Sequence, residues 1–366
     1  MSSINKEQVV DALRTVQDPD LKQDLVTLNM IKDLQISNGQ ISFTVVLTTP
    51  ACPLKEVIRN SCMEAIENLV GNEVEITINM TSNVTSGRPD NTPLLPQVKN
   101  IIAVASGKGG VGKSTVSANL AVSLAKAGAQ VGLIDADIFG PSIPTMFNCT
   151  HQQPLLVKKG EKNLIVPIEQ YGVKLLSIGF LTAADNAVIW RGPMASSALK
   201  QFISDADWGA LDYLIVDLPP GTSDIHLTLV QSVPVTGAII VTTPQKVALA
   251  DAGKGLAMFR QPNINVPVLG IVENMAYFIP PDHPDKKYFI FGKNGGRDFA
   301  EKHRVPLLAQ IPLEESVMLS SDEGYPIALK TGESGGAFQT LAENLAREIA
   351  IRNAKFPETR KVEINT

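Results

Sequence analysis

Eight consecutive residues carry the most specific chemistry in the chain: Gly107-Lys108-Gly109-Gly110-Val111-Gly112-Lys113-Ser114. The pattern G-x-x-x-x-G-K-[ST] suits a phosphate. Its glycines let backbone N–H groups curl round the β-phosphate, Lys113 reaches the β and γ oxygens, and Ser114 offers a hydroxyl to Mg²⁺. From Thr115 the chain reads as a helix, whose N-terminal positive potential adds to the attraction. Asp217 closes the apolar run YLIVD, where a carboxylate holds Mg²⁺ through water, and Asp137 is placed to orient an attacking water. Either aspartate also suits a helix cap. Lys108 is a second cation inside the loop. It is oddly placed for its own nucleotide but able to reach across a subunit boundary, where a cation neutralises charge on a transferred phosphoryl group.

These residues need a scaffold that sets them along one edge. Apolar runs at 101–105 (IIAVA), 131–135 (VGLID), 173–178, 213–217, 237–242, 266–272 and 306–311 alternate with helix-length segments. Strands so uniformly apolar are covered on both faces, which indicates a doubly wound, mainly parallel α/β sheet. The loop, Asp137 and Asp217 then share the carboxyl edge, where ligands bind.

Ahead of this lies a small α+β unit. Val9, Val10, Leu13 and Val16 fall at helical spacing, and alternating strands flank Asn38-Gly39, a type I′ hairpin dipeptide. A second helix follows Pro53 and closes at Gly71, before the strand Val74, Ile76, Ile78. The stretch 81–97 has no periodicity and reads as a solvated tether. The boundaries are therefore a small domain over 1–82, a linker over 83–97, a nucleotide domain over 98–355 and a tail over 356–366. No internal repeat is seen.

Composition narrows the class. The 366 residues carry 32 Lys and Arg against 37 Asp and Glu, a net charge of −5, with 44% apolar residues. An acidic chain is a poor nucleic-acid or anionic-membrane coat, although a local basic patch stays open. No apolar run reaches the ~20 residues of a membrane span, and the first residues lack a signal-peptide core, so a cytoplasmic protein is expected. The three cysteines, Cys52, Cys62 and Cys149, make no disulfide framework and fit a reducing compartment.

KGGVGKS resembles the deviant Walker A motif of MinD/ParA-class ATPases, which implies that Lys108 acts in trans on the partner's phosphates. The small first domain, then DADIFGPS, WRGPM (190–194), DLPPGTSD and ENMAYF, in this order, is similar to the Mrp/ApbC family of iron–sulfur cluster carrier ATPases. The resemblance covers nearly the whole chain. It implies an ATP-hydrolysing homodimer that takes clusters from iron–sulfur assembly proteins and delivers them to apo-protein clients, without nucleic acid or membrane. It places Asn274 at the base-contacting position; by itself this asparagine reads as a turn residue.

The family's Cys-x-x-Cys is missing after Asn274. Pro280 and His283 stand near its positions, and one imidazole per subunit does not replace paired thiolates. Cys52, in TPACP, reads instead as the start of a helix, where the dipole favours the thiolate. Related assembly domains carry a reactive cysteine in this loop, so Cys52 is the candidate iron–sulfur ligand. Cys62 lies on an apolar stripe and reads as core. Two alternatives remain, a MinD/ParA-like positioning ATPase and an ATP-binding scaffold without cluster transfer. The stripe Leu341, Leu345, Ile349 has no basic face and reads as core packing, not as a membrane anchor.

Overall fold

The computed structural model describes residues 5–363 apart from 38–39, 71–73, 91, 139, 161, 182–191 and 284. The chain divides into two compact units, one of residues 1–85 with 346–356, the other of 86–345 with 357–366.

In the first unit, α1 (Lys6–Leu13) starts at a reciprocal cap: Gln8 N–H donates to Asn5 Oδ1 at 2.9 Å, and Asn5 N–H donates to Gln8 Oε1 at 3.0 Å. β1 (Ile31–Ser37) and β2 (Gln40–Leu47) are antiparallel with Ser37 opposite Gln40. That register suits a two-residue turn, although Asn38-Gly39 itself lies outside the described residues. α2 (Lys55–Val70) crosses over to β3 (Glu75–Ser82), which runs parallel to β2. Val9, Leu13, Ile41, Phe43, Ile58, Cys62 and Ile66 form its core, so Cys62 packs as its apolar stripe indicates. Gly71, expected to close α2, lies outside the described residues.

The second unit holds an eight-stranded sheet. Its strands are β4 (Val98–Ala105), β5 (Val131–Asp135), β8 (Ile168–Gln170), β9 (Val173–Ser177), β10 (Leu211–Asp217), β11 (Gly237–Thr242), β12 (Val268–Glu273) and β13 (Leu307–Gln310). The spatial order is β13-β12-β11-β4-β10-β5-β9-β8, parallel except for the β8–β9 edge. All seven apolar runs are strands, and β4, β5, β10 and β11 are buried almost throughout. Between them lie α3 (Lys113–Lys126), α4 (Ile143–Met146), α5 (Gly192–Ser204), α6 (Asp224–Ser232), α7 (Lys246–Phe259), α8 (Gly295–His303), α9 (Glu315–Asp322) and α10 (Glu333–Lys355). The short edge strand β8 and a separate antiparallel hairpin, β6 (Leu155–Lys159) with β7 (Lys162–Val166), have no counterpart in the sequence reading.

Two expectations are corrected. The stretch 83–97 is not simply a solvated tether: Arg88 is 1% exposed and donates to the carbonyls of Leu94, Leu95 and Val98 at 3.0, 2.8 and 2.6 Å. A guanidinium has enough donors to close an irregular loop on itself. The tail is also held, with Thr359 N–H on Gly87 O at 2.9 Å, Val362 N–H on Val230 O at 3.0 Å, and Val362 in the core. Leu341, Leu345 and Ile349 are buried, as a core stripe requires. Among the described residues, no helix is long and apolar enough to cross a membrane.

Candidate active site

The loop 106–112 connects the end of β4 to the start of α3 at the carboxyl edge of the sheet. Gly112 has φ +80°, a conformation that costs a side-chained residue, and a Cβ there would lie 2.2 Å from Asn274 Nδ2. Gly107 is needed for close approach, since its Cβ would lie 2.0 Å from the carbonyl carbon of Asp251 in α7. Ser106 anchors the loop: its Oγ donates to Lys108 O at 3.1 Å, and its carbonyl accepts from Gly221 N–H at 2.8 Å.

Lys113 points into a cluster of acids. Its Nζ lies 2.9 Å from Asp217 Oδ1, 3.4 Å from Asp137 Oδ2 and 3.2 Å from Ser114 Oγ. Asp217 has no exposure; Ser114 Oγ donates to its Oδ2 and Ser117 Oγ to its Oδ1, each at 2.6 Å. Asp135 stands opposite Asp217 across the β5–β10 ladder and is equally buried. It accepts from Ser177 Oγ at 2.8 Å, Asp137 N–H at 3.2 Å and Ile143 N–H at 3.3 Å. It thereby ties the segment carrying Asp137 to the floor of the site.

Charge decides what this cluster can hold. Burial by itself depresses the Lys113 ammonium, but Asp217 and then Asp137 more than offset it and hold it above its ordinary value. Burial, then the Asp217 charge, pushes the Asp135 carboxyl up to about 7. One ammonium facing three carboxylates leaves an excess of negative charge in a buried place, which protons or a divalent cation must balance. Oxygen donors from Ser114 and Asp217 suit Mg²⁺, which prefers oxygen ligands. The chemistry of the cluster therefore fits that ion.

The remaining expected residues are placed as follows. Gly109 and Gly110 are exposed on the loop, Val111 is buried, and Thr115 lies in the first turn of α3. Asn274 is 7% exposed and its Nδ2 donates to Val111 O at 2.9 Å, so it braces the loop. Lys108 is exposed, and its ammonium has no partner among the described residues. Trp190 and Arg191 of WRGPM and Phe139 of DADIFGPS lie outside the described residues. The sequence reading missed Ser117 and Ser177; a serine one turn after Lys113 on the same helix was the available signal for the first. It also left Asp135 without a role and passed over His226, buried in α6, whose Nδ1 accepts from Ser223 N–H at 3.2 Å.

The thiolate reading of Cys52 is corrected. α2 begins at Lys55, and burial, then Asp18 and Asp20, raise the half-buried Cys52 thiol, outweighing Leu54 N–H and Arg347. Arg347 Nε in turn donates to Asp20 at 2.7 Å. Burial pushes Cys62 up to about 12 and Cys149 up to about 11, as befits packed thiols. His283 is 53% exposed beside Asp282 in a loop. Among the described residues, no group of three or more His, Cys, Asp or Glu is arranged to hold a metal ion.

A parallel sheet with this loop, Lys113 between Asp217 at one strand end and Asp137 just past another, and a further lysine within the loop defines a P-loop nucleoside triphosphatase. The chain belongs to the NUBPL iron-transfer P-loop NTPase family, whose model matches residues 97–350, and its first unit matches the iron–sulfur cluster assembly protein model over 6–78. It is 50% identical over 351 residues to the iron–sulfur cluster carrier protein of Synechocystis sp., covering 95% of this chain and 99% of that one. With the iron–sulfur cluster carrier protein of Escherichia coli the identity is 41% over 357 residues, covering 96% and 94%. Among solved structures, the nucleotide-binding protein of Archaeoglobus fulgidus in complex with ADP is 37% identical and superposes with a TM-score of 0.57, covering 67% of this chain and 93% of that one.

Proposed function

We propose that this protein is a cytoplasmic ATPase that works as a homodimer and carries iron–sulfur clusters to apo-proteins. The supporting observation is Lys113 held between Asp217 and Asp137 at the phosphate loop, in a chain alike over nearly its whole length to cluster carriers. The ATP γ-phosphate supplies the bond to be cleaved, and Mg²⁺ offsets the charge that builds on it.

The chain's own residues do the rest. Backbone N–H groups of 109–115 wrap the phosphates, and Lys113 exchanges its carboxylate partners for phosphate oxygens. Ser114 and Asp217 would hold the metal with their oxygens. Asp137 orients the attacking water, while Asn274, its Nδ2 committed to Val111, offers Oδ1 to the base. Lys108, exposed and unpaired among the described residues, reaches the phosphates of the other subunit.

The cluster is cargo. Two Cys52 thiols from two subunits are the protein's ligands in this reading, and the client or a small thiol completes the set. A thiol whose proton is hard to remove binds metal weakly, so the cluster is held loosely and handed on. Anaerobic titration of iron and accessible thiols on the purified protein tests this. Stoichiometric iron that protects Cys52 is expected; intact ATP turnover with no stoichiometric iron would favour a scaffold role.

A further inference from the structure

The second unit carries a groove of about 760 Å³ between the first turns of α7 and the whole of α8. Lys246, Lys293 and Lys302 rim it, His303 joins them, and Asp298 is its one acid among the described residues. None of the three lysines has a carboxylate partner among the described residues, whereas nearby Lys254 and Lys287 pair with Asp251 and Glu333 at 2.9 and 3.5 Å. Lys246 and Lys302 are exposed, and Lys293 only lies over the Phe289 ring, 5.1 Å from its centroid. His303 is held below its ordinary value by burial and then by the cations Lys302 and Arg260. The floor is apolar, made by Leu249, Phe291 and Phe299, with the Phe299 ring tilted against that of His303, centroids 4.4 Å apart.

A chain of net charge −5 thus concentrates unpaired cations round one apolar trough. Unpaired charge beside an apolar floor is complementary to an acidic partner that also brings apolar surface. A nucleic-acid track would instead need a long row of cations following a backbone, uninterrupted by an acid. We propose that the groove docks an acidic polypeptide segment with an apolar anchor, the anchor on Leu249 and Phe299 and the carboxylates on Lys246, Lys293 and Lys302. That the segment belongs to a client or an assembly protein rests on the carrier reading; the docking does not. The position gives docking a route to the nucleotide. Asp251, whose backbone abuts Gly107, lies five residues along α7 from Lys246, about 7.5 Å of helix rise.

The test is fluorescence anisotropy on the full chain with a labelled peptide of Asp and Glu residues flanking a central Phe-Leu. Saturable binding at low salt is expected, weakened about tenfold or more in Lys246→Gln/Lys293→Gln/Lys302→Gln, and similarly when the peptide's Phe-Leu becomes Ser-Ser. The three lysines lie outside the nucleotide machinery, so the variant should hydrolyse MgATP like the parent, which verifies its folding. Absence of saturable binding, equal binding by the variant, or a stronger hold on single-stranded DNA than on the peptide would overturn the proposal. Docking without cluster binding would undo the carrier reading alone; cluster binding without docking would undo this inference alone.

Discussion

Replacing Asp135 with asparagine removes one of the three carboxylates that share the Lys113 ammonium. Burial, and next the Asp217 charge, place the folded-state pKa of Asp135 at about 7, against ~3.9 for an aspartate in an unfolded chain. A raised acid pKa means that the folded protein keeps a proton which the unfolded chain releases. Its stabilising effect is complete below the unfolded value and is lost as pH rises towards the folded one. At ~1.4 kcal/mol per unit, the parent should lose on the order of 2 kcal/mol between pH ~5 and pH ~7 through this group, and the variant none of it. The amide has a separate, pH-independent cost of ~1 kcal/mol, because Ser177 Oγ and Ile143 N–H both use Oδ2 and asparagine offers one acceptor oxygen instead of two. The assay is urea denaturation of both proteins across this range without nucleotide or Mg²⁺, reading the stability of the variant minus that of the parent. Titrating groups remote from Asp135 are common to both and cancel. A difference that grows by about 2 kcal/mol supports the charge balance described above, whereas parallel curves would refute it.

Three further outcomes follow from the same geometry. Lys113→Ala removes the ammonium that faces the buried acids, and nucleotide affinity measured by calorimetry should fall by at least ~100-fold; binding and turnover like the parent's would disprove the site assignment. Lys108→Ala should lose turnover but regain it when mixed with a subunit unable to bind ATP. No rescue in proven heterodimers would place this lysine in cis. Burial holds His226 down to about 4, so its neutral form stabilises the fold above pH ~6.5 and the contribution is lost as pH falls towards ~4, up to ~3 kcal/mol in all. His226→Asn, which keeps an acceptor for Ser223 N–H, should flatten that acid limb in urea melts; an unchanged limb contradicts the assignment.

The parallel sheet was legible because its strands are apolar on both faces: the runs at 131–135 and 237–242 coincide with β5 and β11 to the residue. β6 and β7 were not. Leu155 and Leu156 are both about 70% exposed and all five residues of β6 meet solvent, so no alternation marks it. In the site, spacing alone singled out Lys113 and Ser114, and position at or just past strand ends singled out Asp137 and Asp217, four residues that the structure brings together. The hydroxyls of Ser117 and Ser177 left no pattern, because what makes them partners of Asp217 and Asp135 is the register of neighbouring elements. Cys52 shows the opposite failure. A local rule about helix starts favoured its thiolate, and burial with two aspartates more than thirty residues earlier reversed the sign. Arg88 likewise turned a tether-like composition into a packed loop through bonds that composition does not encode.

Transfer of a reconstituted cluster to an apo-acceptor, under anaerobic conditions with MgATP, examines the carrier reading most directly. The proteins to compare are the parent, Cys52→Ala and the Cys62→Ala/Cys149→Ala pair, with ATP turnover verified in each. Stoichiometric transfer by the parent and the pair, with loss in Cys52→Ala, is the expected pattern. Equal transfer by all three would remove Cys52 from the mechanism, and failure of the parent with its ATP turnover intact would contradict cluster carriage itself.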